Sequence, residues 1–237
     1  MSLATPLTHL VELDAAEAAL REHLEACGDD WGREPSALPK WTRAHVVAHL
    51  AGSAWGLVNL VRWSTTGVEE PMYASSDMRA DDIERRARLS WPDLLGEVSA
   101  SAQALRQALG GLSEPVAARN LRLGSGAPVL VCDLAAARIR EIQVHRVDLA
   151  DGYRAEHWPV PFTTRTLDQL VPFFRERREV PVQILRSTDT GTCWGVGSTG
   201  PDLIGAASDL LGWLVGRPHG PLTTSDSSTP PVAPEWV

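Results

Sequence analysis

Cysteine is scarce and unpatterned in this chain. Cys27, Cys132 and Cys193 are three in number and widely spaced. No Cys-x-x-Cys pair occurs, so neither a disulfide framework nor a zinc knuckle is indicated. Each is expected to be a small buried hydrophobe in a reducing compartment. The N-terminal stretch lacks the basic-then-apolar pattern of a secretory signal. No apolar run reads as long enough to span a membrane. These absences point to a cytoplasmic protein. Positive charge is in deficit too, with 22 Lys and Arg against 30 Asp and Glu and a net charge of −8. That balance argues against nucleic acid or an anionic membrane as the main partner. It still permits a local basic pocket for an acidic small molecule. There is no P-loop, no G-x-G-x-x-G and no Ser–His–Asp order, so those chemistries lack support. No internal repeat is visible.

What remains is ample for a core. The chain has 237 residues, 43% of them hydrophobic, enough for one large or two small domains. Helical spacing recurs four times. Pro6 opens a first helix through Leu10, Leu13, Leu20 and Leu24. Gly28-Asp29-Asp30 ends it, and 31–40 reads as a loop. Thr42 is an N-cap for a second helix to about Thr65. A short polar helix follows from about Arg79 to Arg88. Ser90 and Asp93 form a capping box for a third long helix, which Gly110-Gly111 terminates. Leu121-Arg122-Leu123 reads as a short extended piece. The fourth long helix runs from about Val129 to Leu149. Four long amphipathic helices make a four-helix bundle over residues 1–155. The pattern then changes. Trp158-Pro159-Val160-Pro161 reads as a linker, and a helix over 163–178 must accommodate Pro172. Strands are expected at 182–186 and 193–196, and a helix from Pro201 to about Val215. Residues 156–237 thus form a small α/β domain, and the fold class is α+β.

The fourth helix carries the chemistry. Glu141 and His145 lie one turn apart, on a face shared with Leu134, Ala137 and Asp148. A carboxylate continuing an apolar stripe needs a partner, because burying it alone is costly. A metal ion answers that cost, and His49 on the second helix can complete the set. Two His and one Glu suit zinc with an open fourth position. The same donors suit iron with a 2-His-1-carboxylate face, and spacing does not separate the two. His45, one turn before His49, can be a fourth ligand, a donor behind the ligands, or a histidine satisfied near the helix start. Gly52 and Gly56 lie on the same side as His49, leaving room for a close helix neighbour or for something other than a side chain. Nine tryptophans is a high count; indole N–H groups need partners when buried, and some are expected to line a pocket.

Several stretches, in order along nearly the whole chain, resemble the mycothiol-dependent maleylpyruvate isomerases. They are 41–50 (Trp41 to Leu50), Thr66-Gly67, Pro71-Met72-Tyr73, 140–149 (Arg140 to Leu149), Trp213 to Arg217 and Pro234-Glu235-Trp236. The resemblance implies a DinB-like four-helix bundle with a small C-terminal α/β domain. It implies a divalent metal, usually zinc, on residues matching His49, Glu141 and His145, with mycothiol as thiol cofactor or co-substrate. It also implies a catalytic role for Arg217. The activity implied is conversion of maleylpyruvate to fumarylpyruvate by a metal-activated thiolate. A mycothiol S-transferase acting on an electrophilic metabolite is the alternative. His45, Arg79 and Arg43 are further candidates for holding the acidic substrate or the thiol.

Overall fold

The computed structural model describes residues 5–122, 128–177 and 180–235. By the density of internal contacts the chain divides into two units, Met1–Leu149 and Ala150–Val237.

The first unit is built on four long helices: α1 (Thr5–Glu25), α3 (Arg43–Thr66), α5 (Trp91–Gly110) and α7 (Leu134–Asp148). Between them lie the short α2 (Asp29–Arg33), α4 (Ser76–Ala87) and α6 (Glu114–Ala117). Strands β1 (Asn120–Arg122) and β2 (Pro128–Leu130) pair antiparallel, with Leu121 opposite Val129. α3 packs on α4, α5 and α7, and α1 packs on α5 and α7. Leu13, Leu20, Leu50, Leu60, Leu105 and Ile142 are buried at the centre. By length and composition α3 is apolar enough to cross a membrane, contrary to the sequence reading. In the bundle 83% of that apolar stretch is buried against the other helices. Its apolarity is that of a central core helix, enclosed on most sides.

Several boundaries differ from the sequence reading, each for a local reason. α2 occupies part of the expected loop at 31–40, with its indole Trp31 edge-on to Trp91 at 5.3 Å. α4 begins at Ser76, because Ser75 Oγ accepts from Met78 N–H. α7 begins five residues later than expected, because Val129 is taken up by the β1–β2 pairing and 131–133 form a tight turn. Ser90 does cap α5, accepting from Asp93 N–H, but its hydroxyl donates in turn to the Asp93 carboxylate. Leu123 and the rest of 123–127 lie outside the described residues.

Arg138 on α7 is fully buried and joins three helices. Its Nε donates to Glu17 of α1 at 2.7 Å, and its Nη1 donates to the Leu50 carbonyl and to Ser53 Oγ of α3 at 2.6 and 2.9 Å. A buried charge with every donor placed holds helix register; one that loses its partner is expensive.

The second unit has a four-stranded sheet in the order β4 (Cys193–Gly195), β3 (Ile184–Ser187), β5 (Leu203–Gly205), β6 (Thr223–Thr224). β3 and β5 are parallel; the other pairs are antiparallel. Helices α8 (Val160–Arg177) and α9 (Ala207–Leu214) pack on each other and on this sheet. The expected helix start at Pro201 is instead strand β5. Leu203 and Gly205 are buried, and pairing with β3 outweighs the local helix-start signal. The true start of α9 is capped from a distance, with Asp189 accepting from Ala207 N–H at 2.9 Å. The expected linker Trp158–Pro161 is the entry to α8, with Pro161 in its first turn. Pro172 sits inside α8 without dividing it. Ala155, in a short turn over 155–157, is buried against α9. None of the three cysteines forms a disulfide among the described residues, but none is buried, and Cys193 is exposed.

Arg138→Ala should cost about 3–5 kcal/mol of stability, because it strips Glu17, Leu50 and Ser53 of their shared partner. Urea unfolding of the variant and the parent measures this.

Candidate metal centre

The centre is formed where α3 meets α7. His49 lies one turn into α3 and is buried; Glu141 and His145 project from successive turns of α7. His49 Nε2 is 3.1 Å from Glu141 Oε2 and 3.0 Å from His145 Nε2. His145 Nε2 is 3.7 Å from Glu141 Oε2. The two imidazoles meet edge to face, with centroids 4.5 Å apart. Ligands about 2.0–2.1 Å from a tetrahedral zinc lie about 3.3 Å from one another. The three observed spacings bracket that figure. Among the described residues this is the one cluster with metal-ligand geometry.

The surroundings set the protonation states that ligands need. His145 Nδ1–H donates to the buried Asp148 carboxylate at 2.8 Å. That bond leaves the Nε2 lone pair aimed at Glu141 and His49, the arrangement that carboxylates impose on metal-binding histidines. Burial pushes the His49 imidazole below its ordinary pKa, against the pull of Glu141. Burial alone would raise the Glu141 carboxyl. The hydrogen bond with His49 and the charges of His145, His49 and Arg140 outweigh it and hold Glu141 well below the usual carboxylate range. A neutral imidazole and an ionised carboxylate are the ligand forms. The donor set therefore fits a divalent metal.

Of the other sequence candidates, Arg79 is brought to the cluster. Its Nη2 donates to His49 Nδ1 at 3.2 Å. His45 faces elsewhere. Its Nδ1 accepts from Thr42 N–H at 3.2 Å, and its Nε2 is 3.3 Å from Glu84. It thus takes the place that Glu or Gln fills in a capping box at the start of α3. Arg43 is buried and donates to the Leu149 carbonyl and to Glu34, at 2.8 and 2.6 Å, with its guanidinium over Trp31. Those bonds tie α3 to the end of α7. Arg217 belongs to the second unit, in the turn after α9. Its N–H donates to the Gly212 carbonyl and its Nη1 to the Val215 carbonyl, both at 2.8 Å.

The room at Gly52 and Gly56 is filled by protein. A Cβ at Gly56 would lie 3.1 Å from the Met72 carbonyl, and one at Gly52 3.4 Å from Arg86 and Asp82. Two neighbours of the centre were not singled out by sequence. Trp41 lies beside His49, with ring centroids 5.9 Å apart; it opens a stretch that carries the resemblance, but no role had been given to it. Tyr73 comes in from the 67–75 loop and interacts with Arg79. Its position in sequence carried no chemical signal.

Elemental analysis should find one metal per parent chain, lost on His49→Ala, Glu141→Ala or His145→Ala. Full occupancy in all three variants would contradict the site. Asp148→Asn should weaken metal binding about 10–100-fold, as loss of such a supporting bond does. His45→Ala should retain the metal, since its bonds go to Thr42 and Glu84.

Residues 13–150 match the family described as the mycothiol maleylpyruvate isomerase N-terminal domain. Two solved structures are similar over almost the whole chain. One is the crystal structure of a mycothiol-dependent maleylpyruvate isomerase, 23% identical, with a TM-score of 0.89 over 98% of this chain and 97% of the other. The second is a histidine-to-alanine mutant of a mycothiol-dependent maleylpyruvate isomerase, with a TM-score of 0.88 at the same identity and coverage. Likeness at that identity establishes the α+β fold, a helical bundle with a smaller α/β unit. No curated protein matches the sequence significantly. The matched stretch is more than half of the chain, which therefore belongs to the mycothiol maleylpyruvate isomerase N-terminal domain family.

Proposed function

We propose that this protein is an enzyme, a mycothiol-dependent cis–trans isomerase of the maleylpyruvate type. The observation that carries the reading is the converging His49–Glu141–His145 donor set in a chain of this family. The neighbour of known structure is a mycothiol-dependent maleylpyruvate isomerase. Its substrate guides the choice of substrate here.

Maleylpyruvate carries a cis double bond conjugated to a ketone. Addition of a thiolate forms a C–S bond and moves the π electrons onto the ketone oxygen as an enolate. The former double bond is then single and can rotate. Collapse of the enolate restores the double bond in the trans form, breaks the C–S bond and returns the thiolate. An ordinary thiol is largely protonated at neutral pH. A divalent metal, zinc in the first instance, held by His49, Glu141 and His145 would supply a Lewis acid that deprotonates a coordinated thiol. Asp148 keeps the His145 tautomer, and the ionised Glu141 supplies the compensating charge. Arg217 is proposed to stabilise the enolate or grip a carboxylate bidentately. Three widely spaced cysteines with no disulfide framework suit a reducing cytoplasm.

The test is a mass balance with maleylpyruvate and mycothiol. An isomerase forms many fumarylpyruvates per thiol and returns the thiol; an S-transferase consumes one thiol per product. Stoichiometric thiol loss would replace this reading with the transferase. Arg217→Ala should keep its metal and lose about 10²–10³-fold in turnover, the usual cost of removing a preorganised donor. Arg217→Lys should recover only part, because Lys lacks the planar fork. An Arg217→Ala variant as active as the parent would remove Arg217 from the mechanism.

A further inference from the structure

Arg79 reaches the donor cluster without a carboxylate of its own. Arg43, Arg86 and Arg138, the buried arginines of the same unit, are each paired with an acid. Among the described residues no acid lies within ion-pair distance of Arg79. Its guanidinium instead donates to His49 Nδ1 at 3.2 Å and lies 5.7 Å from the centre of the Tyr73 ring. A half-buried cation aimed at a ligand cluster, with no anion of its own, has a place for one.

The bond to His49 is the wrong one for a loaded site. A guanidinium only donates, so Nδ1 must be an acceptor and the ring proton must sit on Nε2. Ligation through Nε2 puts the ring proton on Nδ1. Two donors then face each other, and Arg79 has to turn away. Tyr73 is suited to share whatever Arg79 turns toward. Burial pushes its phenol above the ordinary tyrosine value, so the hydroxyl keeps its proton. Its O–H is then able to donate to an anion beside Arg79.

We propose that Arg79 and Tyr73 form the carboxylate-binding arm of this site, which Arg79 completes by leaving His49 Nδ1 when a metal is held at Nε2. The ligand class is a small carboxylate-bearing acceptor, gripped by the guanidinium and by the phenol O–H. The inference rests on His49, Glu141 and His145 being metal ligands, and needs no thiol.

The experiment is calorimetric titration of the zinc-loaded full-length chain with maleate, in the absence of thiol. The parent should bind maleate. Arg79→Met should keep its zinc and bind maleate about 10–100-fold more weakly, as expected for losing charge-assisted hydrogen bonds. Arg79→Lys should lie between them, and Tyr73→Phe should lose less than Arg79→Met. Zinc affinity is the second readout. Arg79→Met should bind zinc at least as tightly as the parent, because the mismatched donor at Nδ1 is gone. Equal maleate affinity in the parent and Arg79→Met overturns the arm, as does a parent that ignores maleate. Loss of zinc from Arg79→Met would make the residue a prop for His49 and also overturn it. A parent that binds no zinc would sink the metal reading, and this inference with it. A failed isomerase assay would leave the titration result standing.

Discussion

The geometry of the centre depends on a guanidinium with no exposure to water. Arg138 is placed one turn before Glu141 on α7, and its donors reach Glu17 of α1 and the Leu50 and Ser53 positions of α3. Those bonds set how far α7 slides along α3. A slide of one residue is about 1.5 Å, enough to move Glu141 and His145 out of register with His49. The same α7 face therefore carries a register lock at Arg138, candidate metal donors at Glu141 and His145, and the carboxylate of Asp148 that bonds His145. Arg43 adds a second tie, from the start of α3 to the Leu149 carbonyl just past α7. Hydrogen bonds of Arg138 and Arg43 thus tie α7 to α3 on both sides of the centre.

The histidines of α3 divide the work. His45 is spent on the helix start, where its Nδ1 accepts the Thr42 N–H. That choice leaves His49, one turn later, as the imidazole that meets α7. Three protein donors then leave a fourth position for a sulfur or oxygen ligand. The contrast between Arg79 and its neighbours follows the same logic. Arg86 is neutralised by Glu97 and Asp82 and serves packing, whereas Arg79, which forms no ion pair among the described residues, turns its charge to His49 and the Tyr73 ring.

The bundle and the convergence of its candidate donors were legible because they obey helical periodicity. Glu141 and His145 at i and i+4 share a face whatever else the chain does, and His49 follows from the next apolar stripe. What was illegible depends on contacts distant in sequence. The strand at Leu203–Gly205 exists because β3 is there to pair with it, so the proline–aspartate signal before it misleads. The start of α9 is capped by Asp189, eighteen residues earlier in the chain. Val129 was lost to a hairpin that only pairing reveals. Of the three roles left open for His45, the structure shows the histidine satisfied at the helix start, where its imidazole fills the place that Glu or Gln takes in a capping box. Arg43, a sequence candidate for holding the acidic substrate or the thiol, is buried on Trp31 and bonded to a main-chain carbonyl. Tyr73 and Trp41 reach the centre through loop geometry, which periodicity does not encode.

X-ray absorption at the metal edge of the zinc-loaded protein, before and after mycothiol is added, addresses the central claim most directly. The account predicts a coordination shell of nitrogen and oxygen alone in the absence of thiol. One sulfur at about 2.3 Å should enter when mycothiol is added. A shell that contains sulfur before the thiol is supplied would place a cysteine at the metal and contradict the ligand set. A shell unchanged by saturating mycothiol would show that no position is open to the thiol and contradict the mechanism.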